Sequence, residues 1–254
     1  EMADQVLPPL DADLAAKVAE HLEANGVSLH LGTKVEAMEA RNGAVGRVVI
    51  PQGGIDVDMA LLSIGIRPVT ALAERAGIEL GVKGAIRVDE GMRTSVPDIL
   101  ACGDCATTRH LVSGRETWIP LGSTARKQGR AAAETVSGGE GSFPGVQGTF
   151  VLKAFDLTAG KTGLGLAEAE EAGFEAVTVT LDDSSIPGYY GGGGKLTARV
   201  TVEKGTGRLL GAQVLGDYAA VAEKRLDIFS VCVHAGLSVS DLSNLDLAYA
   251  PPYS

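Results

Sequence analysis

Aromatic residues are scarce in this chain of 254 residues, at 4%, and there are only three cysteines, Cys102, Cys105 and Cys232. So few cysteines cannot build a disulfide framework. They fit a reducing compartment, which makes the cytoplasm the expected location. No apolar run approaches the length needed to cross a bilayer, so no membrane partner is expected. Basic residues are in deficit, 22 against 32 acidic, and the formal charge of -10 argues against nucleic acid or an anionic lipid surface. The four histidines, His21, His30, His110 and His234, are scattered without metal-ligand spacing. No Ser-His-Asp arrangement can be argued, so hydrolysis has no support.

What the chain does have is 45% apolar residues and 34 glycines, a composition suited to a turn-rich α/β protein. Its length can bury a sizeable core, as one large domain or two modest ones. Asp11 is a plausible helix N-cap, and Leu14, Val18 and Leu22 recur at i, i+4 and i+8 before Asn25-Gly26 ends the helix. Strands are expected over Val27–Leu31, Val35–Ala40, Ala44–Ile50 and Ile55–Ile64. A short helix over Val69–Ala76 closes at Gly77, and Ile86–Asp89 reads as a short strand.

The stretch Thr94–Ala106, TSVPDILACGDCA, organises the middle of the chain. Pro97 biases Val96 toward extended geometry, and Ile99–Cys102 has the length of a buried strand. Gly103-Asp104 breaks it. A glycine permits close backbone approach, and an aspartate at a strand's carboxyl end can accept hydrogen bonds from sugar hydroxyls. On Gly103-Asp104 alone, a strand-to-helix turn capped by aspartate is the simpler reading. Downstream, Pro120 and Ser123 stand near the start of a helix running to Val136.

Ser137–Gly148, crowded with glycine, serine and proline, is the best linker. Beyond it, strands are expected over Phe150–Phe155, Ala176–Leu181, Thr197–Glu203 and Leu209–Leu215, the last two joined by a tight turn at Lys204–Gly207. Helices are expected over Ala167–Ala172 and Ala219–His234. This describes an α+β unit, an antiparallel sheet with helices on one face.

Two motifs fail. Cys102-Gly103-Asp104-Cys105 has redox-pair spacing, but the first thiol of such a pair should be exposed at a helix start, whereas Cys102 reads as the end of a buried strand. Gly191–Lys195 departs from the phosphate loop twice, with Tyr189 at the first glycine position and Leu196 for the hydroxyl.

Taken together, the Thr94–Ala106 run, the LLSIGIRPVTALAERAGIEL segment from Leu61 and the phrases KAFDLTAGKTGL, GRLLGAQVLG and LDLAYAPPYS resemble the FAD-dependent pyridine nucleotide-disulfide oxidoreductases. Within that family the likeness is to the single-cysteine branch of coenzyme A-disulfide reductases, persulfide or polysulfide reductases, and NADH oxidases and peroxidases. The resemblance implies an α/β chain of partial FAD- and NAD(P)-binding Rossmann-like domains, followed by an α+β dimerisation domain with an antiparallel sheet. Its divisions would be residues 1–65, a remnant of the NAD(P)H domain; 66–140, the C-terminal segment of the FAD domain; and 148–254, the dimerisation domain.

The same resemblance implies roles. FAD would be contacted by Thr94, Gly103 and Asp104, the last holding a ribityl hydroxyl, and by Leu121, Ser123, Thr124, Ala125 and Arg126 where a helix points at the flavin pyrimidine. Glu1 falls at the acidic position that binds the adenine ribose of NAD(P)H. Tyr190 and Tyr249 would reach across a homodimer to the partner's active site, with Tyr189 packing at the interface; Gly191 stands where the family usually has proline. The implied activity passes electrons from NAD(P)H through FAD to a small-molecule disulfide, coenzyme A disulfide or a persulfide or polysulfide, with oxygen or peroxide reduction as the alternative. The family's FAD fingerprint, redox cysteine and NAD glycine turn would lie upstream of Glu1. The chain is thus expected to be a fragment, inactive alone, for which a non-catalytic dimerisation module is the other reading.

Overall fold

The computed structural model describes residues 1–251. Helix α1, Ala12–Ala24, buries Leu14, Ala15 and Val18 on one stripe and ends at Asn25 before Gly26 (φ +85°), as its apolar spacing dictates. Asp11 stands at the N-cap, but its carboxylate does not cap. It accepts from Arg199 Nη1 at 3.0 Å, while its backbone N–H donates to Gln213 Oε1 at 2.7 Å.

Three strands follow as an antiparallel meander: β1, Ala37–Arg41; β2, Ala44–Ile50; and β3, Gly53–Asp56. Two expected strands are corrected. Val27–Leu31 forms none, and just beyond it the N–H groups of Gly32 and Thr33 donate to the carbonyls of Ala3 and Glu1. The strand expected over Ile55–Ile64 stops at Asp56. Met59, Leu61, Leu62 and Ile64 are apolar enough for a buried strand, yet they stand exposed. A strand needs neighbours for its N–H and C=O groups, and none lies beside this segment among the described residues.

The middle of the chain holds helix α2, Ala71–Arg75, a two-residue ladder between β4, Thr108–Arg109, and β5, Glu116–Thr117, and helix α3, Gly122–Val136. The strands expected at Ile86–Asp89 and Ile99–Cys102 reduce to isolated bridges, Ile86 with both Leu80 and Ala106, and Leu100 with Arg93. Cys102 is exposed rather than buried at a strand end.

The second half is a five-stranded sheet in the order β6-β7-β10-β9-β8. Its strands are β6, Phe150–Ala154; β7, Leu157–Gly163; β8, Ala176–Ser184; β9, Lys195–Glu203; and β10, Leu209–Asp217, all antiparallel to their neighbours. Helix α4 is Leu166–Glu171, α5 is Ala222–Ala235 and α6 is Val239–Ser243. Two elements escaped sequence reading. β7, LTAGKTG, lacks apolar alternation because it is squeezed: a Cβ on Gly160 would lie 2.6 Å from Leu226 Cδ2 and 2.9 Å from the Phe150 carbonyl oxygen. Helix α6 is a single turn, held by a capping box between Ser238 and Asp241.

The expectation of helices on one face is also corrected, because the sheet is covered on both. Alternate residues of β10 point to opposite sides. Val214 packs with Ala222 and Leu226 of α5, and Leu215 packs with Leu14, Ala15 and Val18 of α1. The second cover comes from the far end of the chain, and Arg199 holds it by pairing with both Asp11 and Asp13.

Candidate functional site

Gln128 is the centre of the site. It lies on the buried stripe of α3, fully inaccessible, and its amide joins the helix to the loop after Leu100. Oε1 accepts from the N–H of Gly103 at 2.8 Å, and Nε2 donates to the carbonyl of Thr107 at 3.0 Å. Trp118 adds a third tie, its Nε1 donating to the Asp104 carbonyl at 2.8 Å. Gly103 takes φ +82°, a conformation that favours glycine, and the turn closes through Ala106 N–H to its carbonyl. With the backbone pinned at both ends, the Asp104 side chain stands exposed, and its carboxylate makes no hydrogen bond to the described residues.

Facing this loop is the start of α3. A Cβ on Gly103 would touch Ala125, in the helix's first turn, at 3.8 Å. Leu121 is the N-cap and offers no side-chain acceptor, and the first intrahelical bond runs from Ala125 to Leu121. The N–H groups of Gly122, Ser123 and Thr124 therefore lack helical partners and carry the positive end of the helix dipole. Ser123 and Arg126 are exposed, whereas Thr124 is buried. An open carboxylate beside an open helix N-terminus suits a polyol chain joined to a ring that gathers negative charge. The residues present fit a flavin.

The remaining expected residues are placed differently. Thr94 spends its hydroxyl on its own turn, donating to the carbonyl of Ile99 at 3.0 Å and accepting from Val96 N–H at 3.2 Å. Glu1 Oε1 accepts from Ala3 N–H at 2.9 Å, and that bond holds the carboxyl below its ordinary range. Tyr190 sits exposed in the β8–β9 connection, its N–H donating to Pro187. Tyr249 approaches Tyr189 instead, and its phenol pushes Tyr189 above the usual tyrosine value. Glu1 and Asp104 accordingly lie on separate stretches, with no contact bringing the tyrosines to either.

A groove of about 870 Å³ runs between β4–β5 and the edge of the large sheet, lined by Glu1, His110, Trp118, Lys161 and Glu168 among others. Lys161 is buried, donates to the Pro9 carbonyl at 2.7 Å and pairs with Glu168. Burial lowers the His110 pKa below the ordinary histidine value, and its Nδ1 accepts from Ser113 N–H at 3.3 Å. Lys161 and Gln128 were not singled out from the sequence, because Lys161 reaches the Pro9 carbonyl and Gln128 reaches Gly103 and Thr107 only once the chain has folded. Cys105 Sγ rests 3.4 Å from the Cys102 carbonyl, and burial pushes its thiol pKa up, away from the reactive thiolate. Among the described residues no three His, Cys, Asp or Glu side chains are grouped to hold a metal, and no helix is long and apolar enough to cross a membrane.

A Rossmann-like α/β region joined to an antiparallel sheet domain is the class this architecture defines. Residues 1–129 match the pyridine nucleotide-disulphide oxidoreductases, and residues 150–254 match the dimerisation domain of the same proteins. The chain belongs to the pyridine nucleotide-disulphide oxidoreductase family. It is 41% identical to an NAD-dependent persulfide reductase of A. fulgidus, whose solved structure superposes with a TM-score of 0.93 over 100% of this chain and 47% of that one. A curated relative in Pyrococcus furiosus, a CoA-dependent NAD(P)H sulfur oxidoreductase, is 36% identical over 96% of this chain and 54% of its own. An NADH oxidase of Methanocaldococcus jannaschii is 35% identical over 100% of this chain and 56% of its own. The chain spans about half the length of the curated relatives it matches.

Proposed function

We propose that this chain is the part of an FAD-dependent NAD(P)H:disulfide oxidoreductase that holds the ribityl and pyrimidine side of the flavin and joins two copies into a homodimer. The substrate class is a small-molecule disulfide, coenzyme A disulfide or a persulfide or polysulfide, and the setting is the cytoplasm. The divisions follow the sequence: 1–65 toward NAD(P)H, 66–140 toward FAD, 148–254 for dimerisation. When bound, FAD supplies the relay between a hydride donor and a sulfur acceptor. The chain's own residues bind and orient. Asp104 accepts a ribityl hydroxyl, and Thr94 and Gly103 shape the loop that presents it. The free N–H groups of Ser123 and Thr124, with the exposed guanidinium of Arg126, offset negative charge, while Leu121 and Ala125 set the backbone they hang from. Glu1 offers its remaining carboxylate oxygen to a ribose hydroxyl. Tyr190 and Tyr249 present phenols that hydrogen-bond or protonate a thiolate across the dimer.

The observation that carries this reading is the Gln128 tie, which fixes an otherwise unpartnered aspartate beside an uncapped helix. The resemblance along the chain to the M. jannaschii NADH oxidase supports a second reading, in which oxygen is the acceptor. Titrating the chain with FAD and following flavin fluorescence tests the site. Binding should weaken about tenfold in Asp104→Ala, the worth of one charged hydrogen bond of roughly 1.5 kcal/mol. A chain that leaves FAD fluorescence unchanged would sink the flavin assignment for these residues. Product analysis with coenzyme A disulfide against oxygen separates the two acceptors.

A further inference from the structure

We infer that Cys102 and Cys105 form a reversible disulfide site, in which Cys102 is the thiol that attacks a small-molecule disulfide and Cys105 the thiol that resolves the mixed disulfide. Neither sulfur has a part in the flavin contacts proposed above, so the site stands apart from them.

The sequence places Cys102 at the end of a buried strand, which would close the pair to chemistry. In the fold Cys102 is exposed, and Cys105 is half-buried. An exposed thiol with a more sheltered partner, two residues between them, is the arrangement that thiol–disulfide exchange uses.

The turn folds the second sulfur back onto the first cysteine. The Ala106 N–H donates to the Gly103 carbonyl at 3.0 Å, and the Cys105 thiol donates to the Cys102 carbonyl at 3.4 Å. Burial raises the Cys105 pKa, and Cys102 beside it raises it too, so this thiol holds its proton and waits. Both residues between the sulfurs are anchored, Gly103 through its N–H to Gln128 and Asp104 through its carbonyl to Trp118. Two cysteines on a loop that cannot spread meet at a far higher effective concentration than on a free chain.

Zinc does not account for the pair, since among the described residues no three His, Cys, Asp or Glu side chains are grouped to hold a metal. Cys232 does not compete as a partner, because it is buried on α5 in the core with Leu209, Leu210 and Val233.

The oxidant is a small-molecule disulfide, R–S–S–R. Cys102 gives up its proton, its sulfur bonds one sulfur of the oxidant, and the oxidant's S–S bond breaks to release RSH. The Cys105 sulfur then bonds Cys102, the mixed disulfide breaks, and the Cys105 proton leaves with the second RSH. The two protein sulfurs lose two electrons, and the oxidant is reduced to two thiols. The new bond rings Gly103 and Asp104, so the thiol poise of the surroundings is recorded in the loop that presents the aspartate. A disulfide exposed at one end is of the labile kind that thiols reduce again.

Oxidised glutathione is the probe, added to the reduced chain, with acid quenching, alkylation in denaturant and mass spectrometry. The wild type should lose the mass of two hydrogens and take a single alkyl group, at Cys232, with the disulfide inside the tryptic peptide Thr94–Arg109. Cys105→Ser should stop at a glutathione adduct on Cys102. Cys102→Ser should react about tenfold more slowly, because the thiol that is left is the sheltered one. In glutathione buffers of graded ratio, the folded chain should close the disulfide with an effective concentration about tenfold above that of the same chain in urea. A bond from either cysteine to Cys232 or to a second chain would overturn the site. So would a wild type that halts at the glutathione adduct, or equal effective concentrations in the folded chain and in urea.

Discussion

The N–H of Gly103 donates to the side-chain oxygen of Gln128 at 2.8 Å, across 25 residues of chain, and so fixes the loop bearing Asp104 to helix α3. Replacing Gln128 by leucine keeps the bulk but orphans the Gly103 N–H and the buried Thr107 carbonyl. At about 1–3 kcal/mol for each unsatisfied group, stability should fall by roughly 3 kcal/mol. FAD affinity should drop with it. Urea denaturation read by the fluorescence of Trp118, the lone tryptophan, checks the first; flavin titration checks the second.

Arg199 joins the sheet to both ends of an acidic pair, Asp11 and Asp13. Arg199→Met leaves the largely buried Asp11 without its partner. The expected loss is roughly 2 kcal/mol, less than for a fully buried pair because Asp13 is solvated. Hydrogen exchange should show Ala12–Ala24 losing protection before the sheet does.

The same pair makes α1 docking sensitive to acid. Arg199 holds the Asp13 carboxyl below its ordinary value, so the unfolded chain takes up that proton more readily. A depressed folded pKa contributes stability that is complete above about pH 4 and is lost as the pH falls through the folded value. Protection of α1 should therefore decline on acidification below that point. The Arg199→Met variant, already without the pairing, should show a flatter decline.

Gly160→Ala places a methyl group 2.6 Å from Leu226 and 2.9 Å from the Phe150 carbonyl. Overpacking of this kind costs about 1–3 kcal/mol. Adding Leu226→Ala relieves only the side-chain clash, since the carbonyl belongs to the paired strand. A double-mutant cycle should accordingly show partial, not full, compensation.

The Tyr249 phenol raises the Tyr189 pKa. Tyr249→Phe removes it, and the Tyr189 phenolate should then form at lower pH. Ultraviolet titration at the tyrosinate band, compared with Tyr189→Phe, measures the shift; an unchanged curve would show that the two rings do not meet in solution.

Much of the element order was legible along the chain. Helix α3, the strands β6, β8, β9 and β10, and α5 carry local periodicity and turn residues, and periodicity is a property of neighbours in sequence. The Gly103-Asp104 turn was legible for the same reason, since its glycine and aspartate are adjacent. What failed were segments whose state depends on distant partners. Val27–Leu31 and Met59–Ile64 have strand composition but no strand beside them, and β7 has no strand signal because Gly160 yields its space to Leu226.

By itself, the sequence determined the α/β-then-antiparallel plan, the family and the loop that presents Asp104. Only the tertiary structure decided that α1 covers the second face of the sheet, that Gln128 holds the loop to α3, and that Tyr249 approaches Tyr189 rather than Tyr190. The reason is physical. Local pattern reports which face of an element is apolar, but a hydrogen bond between residues 11 and 213, or an ion pair between 13 and 199, exists only once packing has brought the two ends together.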